Sequence, residues 1–294
     1  MNIDLTIFTP TYNRAHTLRR LYESIKNQTL HNFEWLIVDD GSTDATSIIV
    51  EDFIKDNKIK IRYIKQLNSG KQAAWNRAVI EANGRYFCNI DSDDVLYNNF
   101  VLEEIFDKYI SCLKNNIIAL RCLAFSKTKM KASGTSFGES VIVQKWENEI
   151  IQKKVGDRND IWVTSILEKN LYPINSEIKF IPETWLYSNL NRNYLFAYLP
   201  IPSILIFDDH NENRLSRASI KKNAKGQYIA RSCVIKSLPS KAILYNPIYF
   251  IKNLVRFSQV ANYLKTPLRK RVDDVGLVLM LLSYLFIIFS LELR

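Results

Sequence analysis

Strand-like runs alternate with helical segments through the first 95 residues, and this order constrains the fold more than any other feature of the chain. The runs rich in β-branched and apolar residues occupy residues 3–8, 34–38, 60–64 and 85–90. Between them, residues 16–28 place apolar side chains at helical spacing, and Gly70 and Gly84 bracket a later helix. Strands that alternate with helices in this way predict an α/β fold built on a doubly wound, mostly parallel sheet.

Polar clusters follow three of the predicted strands. They read Thr-Pro-Thr-Tyr-Asn-Arg at residues 9–14, Asp-Asp-Gly-Ser-Thr-Asp at residues 39–44, and Asp-Ser-Asp-Asp at residues 91–94. Pro10 is expected to end the first strand, and one of residues 42–44 to cap the next helix. Because open α/β sheets bind ligands at the carboxyl ends of their strands, the clusters predict a ligand site at that edge.

The stretch Asp91-Ser92-Asp93-Asp94 points to metal chemistry. Residues i and i+2 of an extended chain point the same way, so Asp91 and Asp93 can direct their carboxylates to one cation. Carboxylate oxygens suit Mg²⁺ or Mn²⁺, whose open positions suit phosphate oxygens. A solvated turn is the alternative interpretation of such a cluster taken alone. The strand order before it favours the metal site, and with it the departure of a phosphate-bearing group.

A resemblance to a known family rests on four segments. Residues 9–14, residues 38–44 (Val-Asp-Asp-Gly-Ser-Thr-Asp), Gly70-Lys71 and residues 91–94 resemble the signature series of family 2 glycosyltransferases, which have the GT-A fold. The likeness is strong over about residues 1–125 and thinner to about residue 215. It implies transfer of a sugar from a nucleotide-sugar donor to a hydroxyl, with inversion, using a divalent metal.

The resemblance assigns roles in binding the nucleoside. Thr9, Pro10 and Tyr12 would lie against the base, with the Tyr12 ring as a stacking face. Asp40, with or without Asp39, would accept the uracil N–H. Cytidine has no hydrogen at this position, so a carboxylate here favours a UDP-sugar as the donor.

The remaining donor-side roles concern the phosphates and the metal. Lys71 would pair with the phosphates as a point charge, and Arg14 would reach phosphate or nearby polar atoms. Asp91 would bind the ribose or the metal through water, and Ser92 belongs to the same donor contacts. Asp93 would hold Mg²⁺ or Mn²⁺ on the diphosphate. Asp94 would orient the donor sugar or brace the loop.

Inverting transfer also needs a base, and Glu183 is the candidate. Residues 156–185 resemble the acceptor-side region of bacterial polysaccharide members of the family, in which a Glu at a helix start is the supposed base. Stabilisation of a helix N-terminus is the alternative role for Glu183, and Asp157 is an alternative acceptor-binding group. The resemblance also offers His210 as a metal or diphosphate ligand, with a solvated loop histidine as the alternative.

Composition predicts one catalytic unit with an appendage. The chain has 294 residues, 47% of them hydrophobic, and its four cysteines are scattered without metal-binding spacing. Cys88 and Cys122 lie in strand-like runs and are expected to be buried thiols. The absence of Gly-x-Gly-x-x-Gly gives a dinucleotide oxidoreductase little support. We expect a GT-A catalytic domain over residues 1–215, with a nucleotide-binding half (1–95) and an acceptor half (96–215).

The expected appendage, residues 216–294, is helical, basic and hydrophobic. Lys and Arg occur fourteen times between residues 213 and 272 without one acidic residue, and they are interleaved with apolar and aromatic side chains. Residues 275–291 then carry no charge. This composition favours an interfacial helix on anionic lipid and an anchor that is embedded in, or barely spans, the membrane. A soluble helical subdomain is the alternative, and nucleic acid is disfavoured as a partner.

These features predict an inverting, metal-dependent glycosyltransferase of bacterial surface-polysaccharide type. The acceptor would be a hydroxyl of a lipid-linked saccharide, and no leader is visible at the N-terminus. Counting positive charges puts the enzyme at the cytoplasmic face of the inner or plasma membrane. Two alternatives remain open, another nucleotide-dependent transferase such as a nucleotidyltransferase, and a non-catalytic membrane scaffold of the same fold. The sequence leaves the oligomeric state, the sugar and the linkage open.

Overall fold

The computed structural model describes residues 3–207 and 223–292, which form two compact units. The first unit contains residues 3–144, 155–172 and 195–207. The second contains residues 145–154, 173–194 and 223–292. Residues 145–154 and 173–194 thus group with the helical C-terminal part, although the chain places them within the predicted acceptor half.

Among the described residues, the strands all lie in the first unit. They are β1 (Leu5–Thr11), β2 (Phe33–Asp39), β3 (Ile61–Lys65), β4 (Tyr86–Asn89), β5 (Val95–Leu96), β6 (Ile117–Ser126), β7 (Lys131–Ala132), β8 (Ile142–Gln144), β9 (Arg158–Val163) and β10 (Leu195–Ile206). The helices are α1 (Ala15–Lys26), α2 (Thr46–Asp56), α3 (Lys71–Glu81), α4 (Val101–Lys108), α5 (Glu147–Ile151), α6 (Thr164–Leu167), α7 (Thr184–Leu190), α8 (Ala224–Ser237), α9 (Ser240–Tyr245), α10 (Pro247–Tyr263), α11 (Leu268–Val275) and α12 (Leu277–Glu292).

One mixed sheet organises the first unit, in the order β3-β2-β1-β4-β9-β6-β10-β5. Strands β1 to β4 run parallel, and β6 is parallel to β10. Strand β9 is antiparallel to both of its neighbours, β4 and β6. The predicted mostly parallel α/β sheet is confirmed for the nucleotide-side strands. The sequence of a single strand does not show which strands it will pair with, so the antiparallel position of β9 was not predicted.

Helices cover both faces of the parallel strands. Leu5 and Ile7 of β1 belong to a hydrophobic cluster that also includes side chains of α1 and α2. Phe8 points to the opposite face, where its ring lies 6.1 Å from that of Trp75 on α3. Because alternate residues of a strand face opposite sides, this arrangement is the doubly wound layering that the sequence predicts. Cys88 and Cys122 are buried free thiols, as expected.

Two local predictions were wrong, for steric and hydrogen-bonding reasons. Pro10 does not end β1, which continues to Thr11 beside β2. Strand β4 pairs with β1 only as far as Phe8. Pro10, which has no N–H, therefore lies where the β4 side of β1 has no hydrogen bond to make. Gly84 does not cap α3, which ends at Glu81. A Cβ at Gly84 would lie 2.3 Å from the backbone nitrogen of Thr6, so close chain approach requires the glycine.

The second unit is helical and has its own core. Helices α8, α10 and α12 contribute Tyr228, Leu254, Phe257 and Met280 to one buried cluster. The Tyr228 and Phe257 rings lie 5.0 Å apart, and the hydroxyls of Ser258 and Ser283 join α10 to α12. The apolar material of this region therefore packs largely against itself.

Helix α12 contains most of the uncharged segment that the sequence marks as a membrane anchor. It is 16 residues long. Within the described ranges, every helix falls short of the length or apolar character that crossing a bilayer requires.

Candidate functional site

The loops that follow β1 and β2 are tied together by Asn13. Its backbone N–H donates to Oγ of Ser42 at 2.9 Å, and its Oδ1 accepts from the backbone N–H of Thr43 at 2.8 Å. Asn13 has φ 53°, a left-handed conformation that asparagine tolerates better than most residues. Asp44 completes the link by accepting from the backbone N–H groups of Ala15 and Thr46. The Asp44 side chain therefore supports the starts of both α1 and α2.

Both aspartates at the end of β2 accept internal hydrogen bonds. Asp39 accepts from the Ser42 N–H through Oδ1 and from the Tyr63 hydroxyl through Oδ2 at 2.5 Å. Burial and this contact raise the pKa of the Tyr63 hydroxyl far above its ordinary range.

Asp40 holds the chain that leads into α3. Its Oδ1 accepts from Nε2 of Gln66 and from the Ser69 N–H, each at 2.8 Å. Its Oδ2 accepts from the Gly70 N–H, also at 2.8 Å, and the residue is only 6% exposed. Hydrogen bonds from backbone N–H groups to a carboxylate are among the stronger ones in proteins. Asp40 thus sets the position of Lys71, in addition to any contact that Asp40 makes with a nucleotide base.

Lys71 reaches the acidic cluster after β4. Its Nζ lies 2.8 Å from Oδ2 of Asp91, whose Oδ1 accepts from Nδ2 of Asn89 at 3.1 Å. Burial acts to raise the pKa of Asp91, but the charge and hydrogen bond of Lys71 outweigh it and hold that pKa below its ordinary value. Asp91 is therefore ionised, and the pair joins the start of α3 to the end of β4.

Asp91, Asp93 and Asp94 form the candidate metal site. One carboxylate oxygen from each lies within 4.8 Å of the other two. Burial, followed by the charges of Asp91 and Asp93, raises the pKa of Asp94 well above its ordinary value. Three hard oxygen donors that repel one another fit a divalent cation such as Mg²⁺ or Mn²⁺, which would relieve the repulsion.

Arg14, just before α1, and Arg20, on α1, lie beside this acidic cluster. Nη2 of Arg14 lies 4.0 Å from Oδ2 of Asp93. Nη2 of Arg20 donates to the backbone carbonyl of Asp93 at 2.5 Å, and the Arg20 guanidinium stacks 3.5 Å from the centre of the Phe207 ring. Cations on one side and carboxylates on the other suit a diphosphate that bridges a metal and basic groups.

The other predicted donor contacts have mixed exposure. Thr9 is fully buried, and its hydroxyl accepts from the Trp35 indole N–H at 2.9 Å. Ser92 is 5% exposed, and Pro10 is half-buried within β1. Tyr12 is 49% exposed, so its ring can offer a face for stacking. Tyr12 is thus accessible to a base, whereas the hydroxyl of Thr9 is committed to the sheet.

The two described acceptor-side candidates belong to different units. Glu183 is exposed and immediately precedes α7 in the second unit, where its carbonyl accepts from the Leu186 N–H. Asp157 belongs to the first unit and accepts from the Ser133 hydroxyl at 2.6 Å. His210 falls outside the described residues.

Sequence reasoning missed the residues that support the strand ends. Nδ2 of Asn159 donates to the carbonyl of Asn89 at 2.6 Å, and its Oδ1 accepts from the Ser203 hydroxyl at 3.0 Å. Arg20 likewise reaches the carbonyl of Asp93 from α1. These contacts join residues 44 to 73 positions apart, so no local signal in the sequence marks them.

Comparisons with known proteins agree with this arrangement. The family model for glycosyl transferase family 2 matches residues 6–161, more than half of the chain. Glycosyltransferase GlyA of Streptococcus pneumoniae is 37% identical over 106 residues, which cover 36% of this chain and 15% of GlyA. The chain therefore matches only a small part of that relative's length.

Solved structures share the fold over nearly the whole chain. TarS of S. aureus in complex with UDP-GlcNAc has a TM-score of 0.67 at 19% identity, with 93% of this chain and 80% of that chain covered. The mannosyltransferase PcManGT of Pyrobaculum calidifontis, in complex with GDP-Man and Mn²⁺, has a TM-score of 0.58 at 16% identity, with 99% and 81% covered. By its family match and its fold, the chain belongs to glycosyl transferase family 2.

Proposed function

We propose that the protein is an inverting, metal-dependent glycosyltransferase that moves a sugar from a UDP-sugar to a hydroxyl of a lipid-linked saccharide in surface polysaccharide synthesis. The convergence of Lys71 and three carboxylates at the carboxyl edge of the sheet carries this proposal. A nucleotide-sugar needs cations for its phosphates and a metal beside them, and Lys71 and the carboxylate cluster suit these two tasks.

A uridine diphosphate donor is supported by the residues at the ends of β1 and β2. The exposed ring of Tyr12 suits stacking on a base, and Asp40 is the carboxylate that the family resemblance assigns to the uracil N–H. TarS, which shares the fold, binds UDP-GlcNAc, whereas PcManGT binds GDP-Man. GDP is therefore the competing nucleotide that the test must include.

The acidic cluster suits Mg²⁺ or Mn²⁺ bound through Asp93, with Asp91 and Asp94 beside it. A divalent ion bound there would supply positive charge to the diphosphate leaving group. Lys71 and Arg14 place further positive charge at the same edge. Burial and the charges of Asp91 and Asp93 raise the pKa of Asp94, and a cation bound beside it would lower that pKa again.

Glu183 is the base in this proposal. The acceptor oxygen forms a bond to the anomeric carbon, the bond from that carbon to the phosphate oxygen breaks, and Glu183 takes the acceptor proton. One displacement of this kind inverts the anomeric configuration. Glu183 is exposed and lies immediately before α7.

The acceptor and the location belong to the same proposal. Fourteen basic residues without an acidic one between residues 213 and 272 suit the anionic cytoplasmic face of the inner or plasma membrane. A lipid-linked saccharide would meet a water-soluble donor at that boundary.

Calorimetric titration of the protein with UDP, with and without Mn²⁺, tests the donor site. We expect metal-dependent UDP binding that is lost in Asp93→Ala, with GDP, CDP and NAD as controls. Binding of GDP in place of UDP would change the proposed donor from a UDP-sugar to a GDP-sugar. Binding of none of these nucleotides would contradict the enzyme proposal.

Turnover tests the base. With a purified lipid-linked acceptor, Glu183→Gln should lower kcat at least a hundredfold while UDP binding is unchanged. Glu168→Gln, an exposed carboxylate outside the proposed site, is the matched control. Proton NMR of the product reports whether the anomeric configuration is inverted.

A further inference from the structure

We propose that the protein docks on an anionic lipid bilayer through the outward face of α10. This face consists of Ile248, Lys252, Arg256, Gln259 and Tyr263. The inference rests on the proposed function, which places the enzyme at a membrane without saying which surface touches it.

The outward face is a continuous strip of one helix. Its five residues follow at spacings of four, four, three and four, so at 100° per residue they span an arc of about 80°. All five are exposed. The opposite side of α10 is buried through Phe250, Leu254, Phe257 and Ala261, which pack with α8 and α12. The apolar side of α10 therefore packs inside the second unit, whereas the side with both polar and apolar residues is exposed.

The charge of this face suits anionic lipid. It carries two cations and no acidic side chain, and exposed Lys241 and Lys265 lie just before and after the helix. Exposed Arg269 and Lys270 follow on α11, with Asp273 as the next exposed acid. Basic residues close to a bilayer are attracted by its negative surface potential, within about a Debye length.

Apolar side chains stand at both ends of the face. Leu244 and Tyr245 of α9 are 78% and 61% exposed, and Ile248 is 64% exposed. At the far end, Tyr263 is 54% and Leu268 62% exposed. Tyrosine and aliphatic side chains that flank a basic strip are typical of helices lying in the plane of the lipid–water interface.

The same features disfavour other occupants. A second copy of the chain docked face to face would bring Lys252 and Arg256 against their own like charges. A nucleic acid would use the cations but would leave the exposed aliphatic side chains in water. An anionic bilayer accommodates both kinds of side chain, because its headgroups meet the cations and its acyl region meets Leu244 and Ile248.

Co-sedimentation of the full chain with vesicles tests the surface. Phosphatidylcholine vesicles with phosphatidylglycerol should bind the protein, and vesicles of phosphatidylcholine alone should bind it much less. The paired variants Lys252→Glu with Arg256→Glu, and Leu244→Ser with Ile248→Ser, should each lower the partition coefficient roughly tenfold or more.

Matched controls lie in the first unit. Leu67, which is 88% exposed, supplies Leu67→Ser, and Lys55, whose side chain is 75% exposed, supplies Lys55→Glu. Both should leave vesicle binding unchanged. All substituted side chains are exposed, so thermal melting should confirm that every variant remains folded.

The outcomes separate this inference from the membrane proposal itself. If the wild type binds anionic vesicles and the α10 variants bind equally well, the docking face is wrong while membrane attachment stands. If the wild type binds neither vesicle, the docking face and the membrane location both fail, while UDP binding is judged by its own titration. A dimer that the α10 variants convert to a monomer, with vesicle binding unaltered, would assign the face to a second copy instead.

Discussion

Nζ of Lys71 lies 2.8 Å from Oδ2 of Asp91, so the first residue of α3 is paired with the first acid after β4. The backbone just before Lys71 is held by Asp40 at the end of β2. Two strand ends are thereby connected through one lysine. A change at any of these residues should alter the geometry at the others, because the contacts form a continuous chain.

Replacing Lys71 tests the phosphate role. Lys71→Met should lower UDP affinity about tenfold, or roughly 1.4 kcal/mol, because a cation is removed from the diphosphate site. Lys71→Arg should retain part of the affinity, and the exposed Lys58→Met should retain all of it. Calorimetry measures each value. Equal UDP affinity for Lys71→Met and the wild type would exclude a phosphate contact.

Asp40→Asn separates loop support from base recognition. The substitution removes an acceptor of backbone N–H groups, so we expect a loss of stability of about 1–3 kcal/mol by urea denaturation. We also expect affinity for UDP to fall more than affinity for CDP, because both nucleotides lose the support of Lys71 but only UDP loses the contact to its base N–H. An equal fall for the two nucleotides would show that Asp40 supports the chain before α3 and does not read the base.

Asp94 should make the metal-free protein less stable as pH rises. Burial and the charges of Asp91 and Asp93 raise its pKa in the folded state. The ionised form is therefore disfavoured by folding, and stability falls as pH rises from the unfolded pKa, near 3.9, through the raised folded pKa. Asp94→Asn should weaken this fall. Urea denaturation in EDTA across pH 4 to 8 measures it, and identical pH profiles would contradict the coupling.

Arg20 should support metal binding without touching the metal. Arg20→Met removes the hydrogen bond to the Asp93 carbonyl, and we expect Mn²⁺ affinity in the presence of UDP to fall about tenfold. Arg19→Met, an exposed neighbour on α1, serves as the control. Electron paramagnetic resonance of free Mn²⁺ gives the affinity directly. Unchanged affinity in Arg20→Met would leave Arg20 with a purely structural role.

Arg121 and Asp160 form a buried ion pair between β6 and β9. Nη1 of Arg121 lies 2.8 Å from Oδ2 of Asp160, and their side chains are 3% and 4% exposed. Asp160→Ala leaves a buried charge and should destabilise the protein by about 3–5 kcal/mol. The double variant Arg121→Met with Asp160→Leu should recover much of that loss. Chemical denaturation of the three proteins decides whether the recovery occurs.

Much of the nucleotide side follows from short-range patterns. Alternating strands and helices predict the parallel sheet, and the polar clusters at its strand ends predict where Asp40 and Asp91 lie, whereas Lys71 was indicated by the family resemblance. Such patterns succeed because strand and helix periodicity, and the turns between them, depend on neighbouring residues. The antiparallel position of β9 and the buried pair of Arg121 with Asp160 leave no comparable trace, since both depend on which strands meet.

The sequence by itself determined the fold class, the acidic cluster and the basic, apolar character of the C-terminal region. Only the tertiary structure decided how those groups are used. It directed Arg20 to the carbonyl of Asp93, committed both oxygens of Asp40 to the chain before α3, and buried one side of α10 while exposing the other. The reason is physical: periodicity specifies which residues form an element, whereas pairing partners and the orientation of each face depend on contacts between residues far apart in the chain.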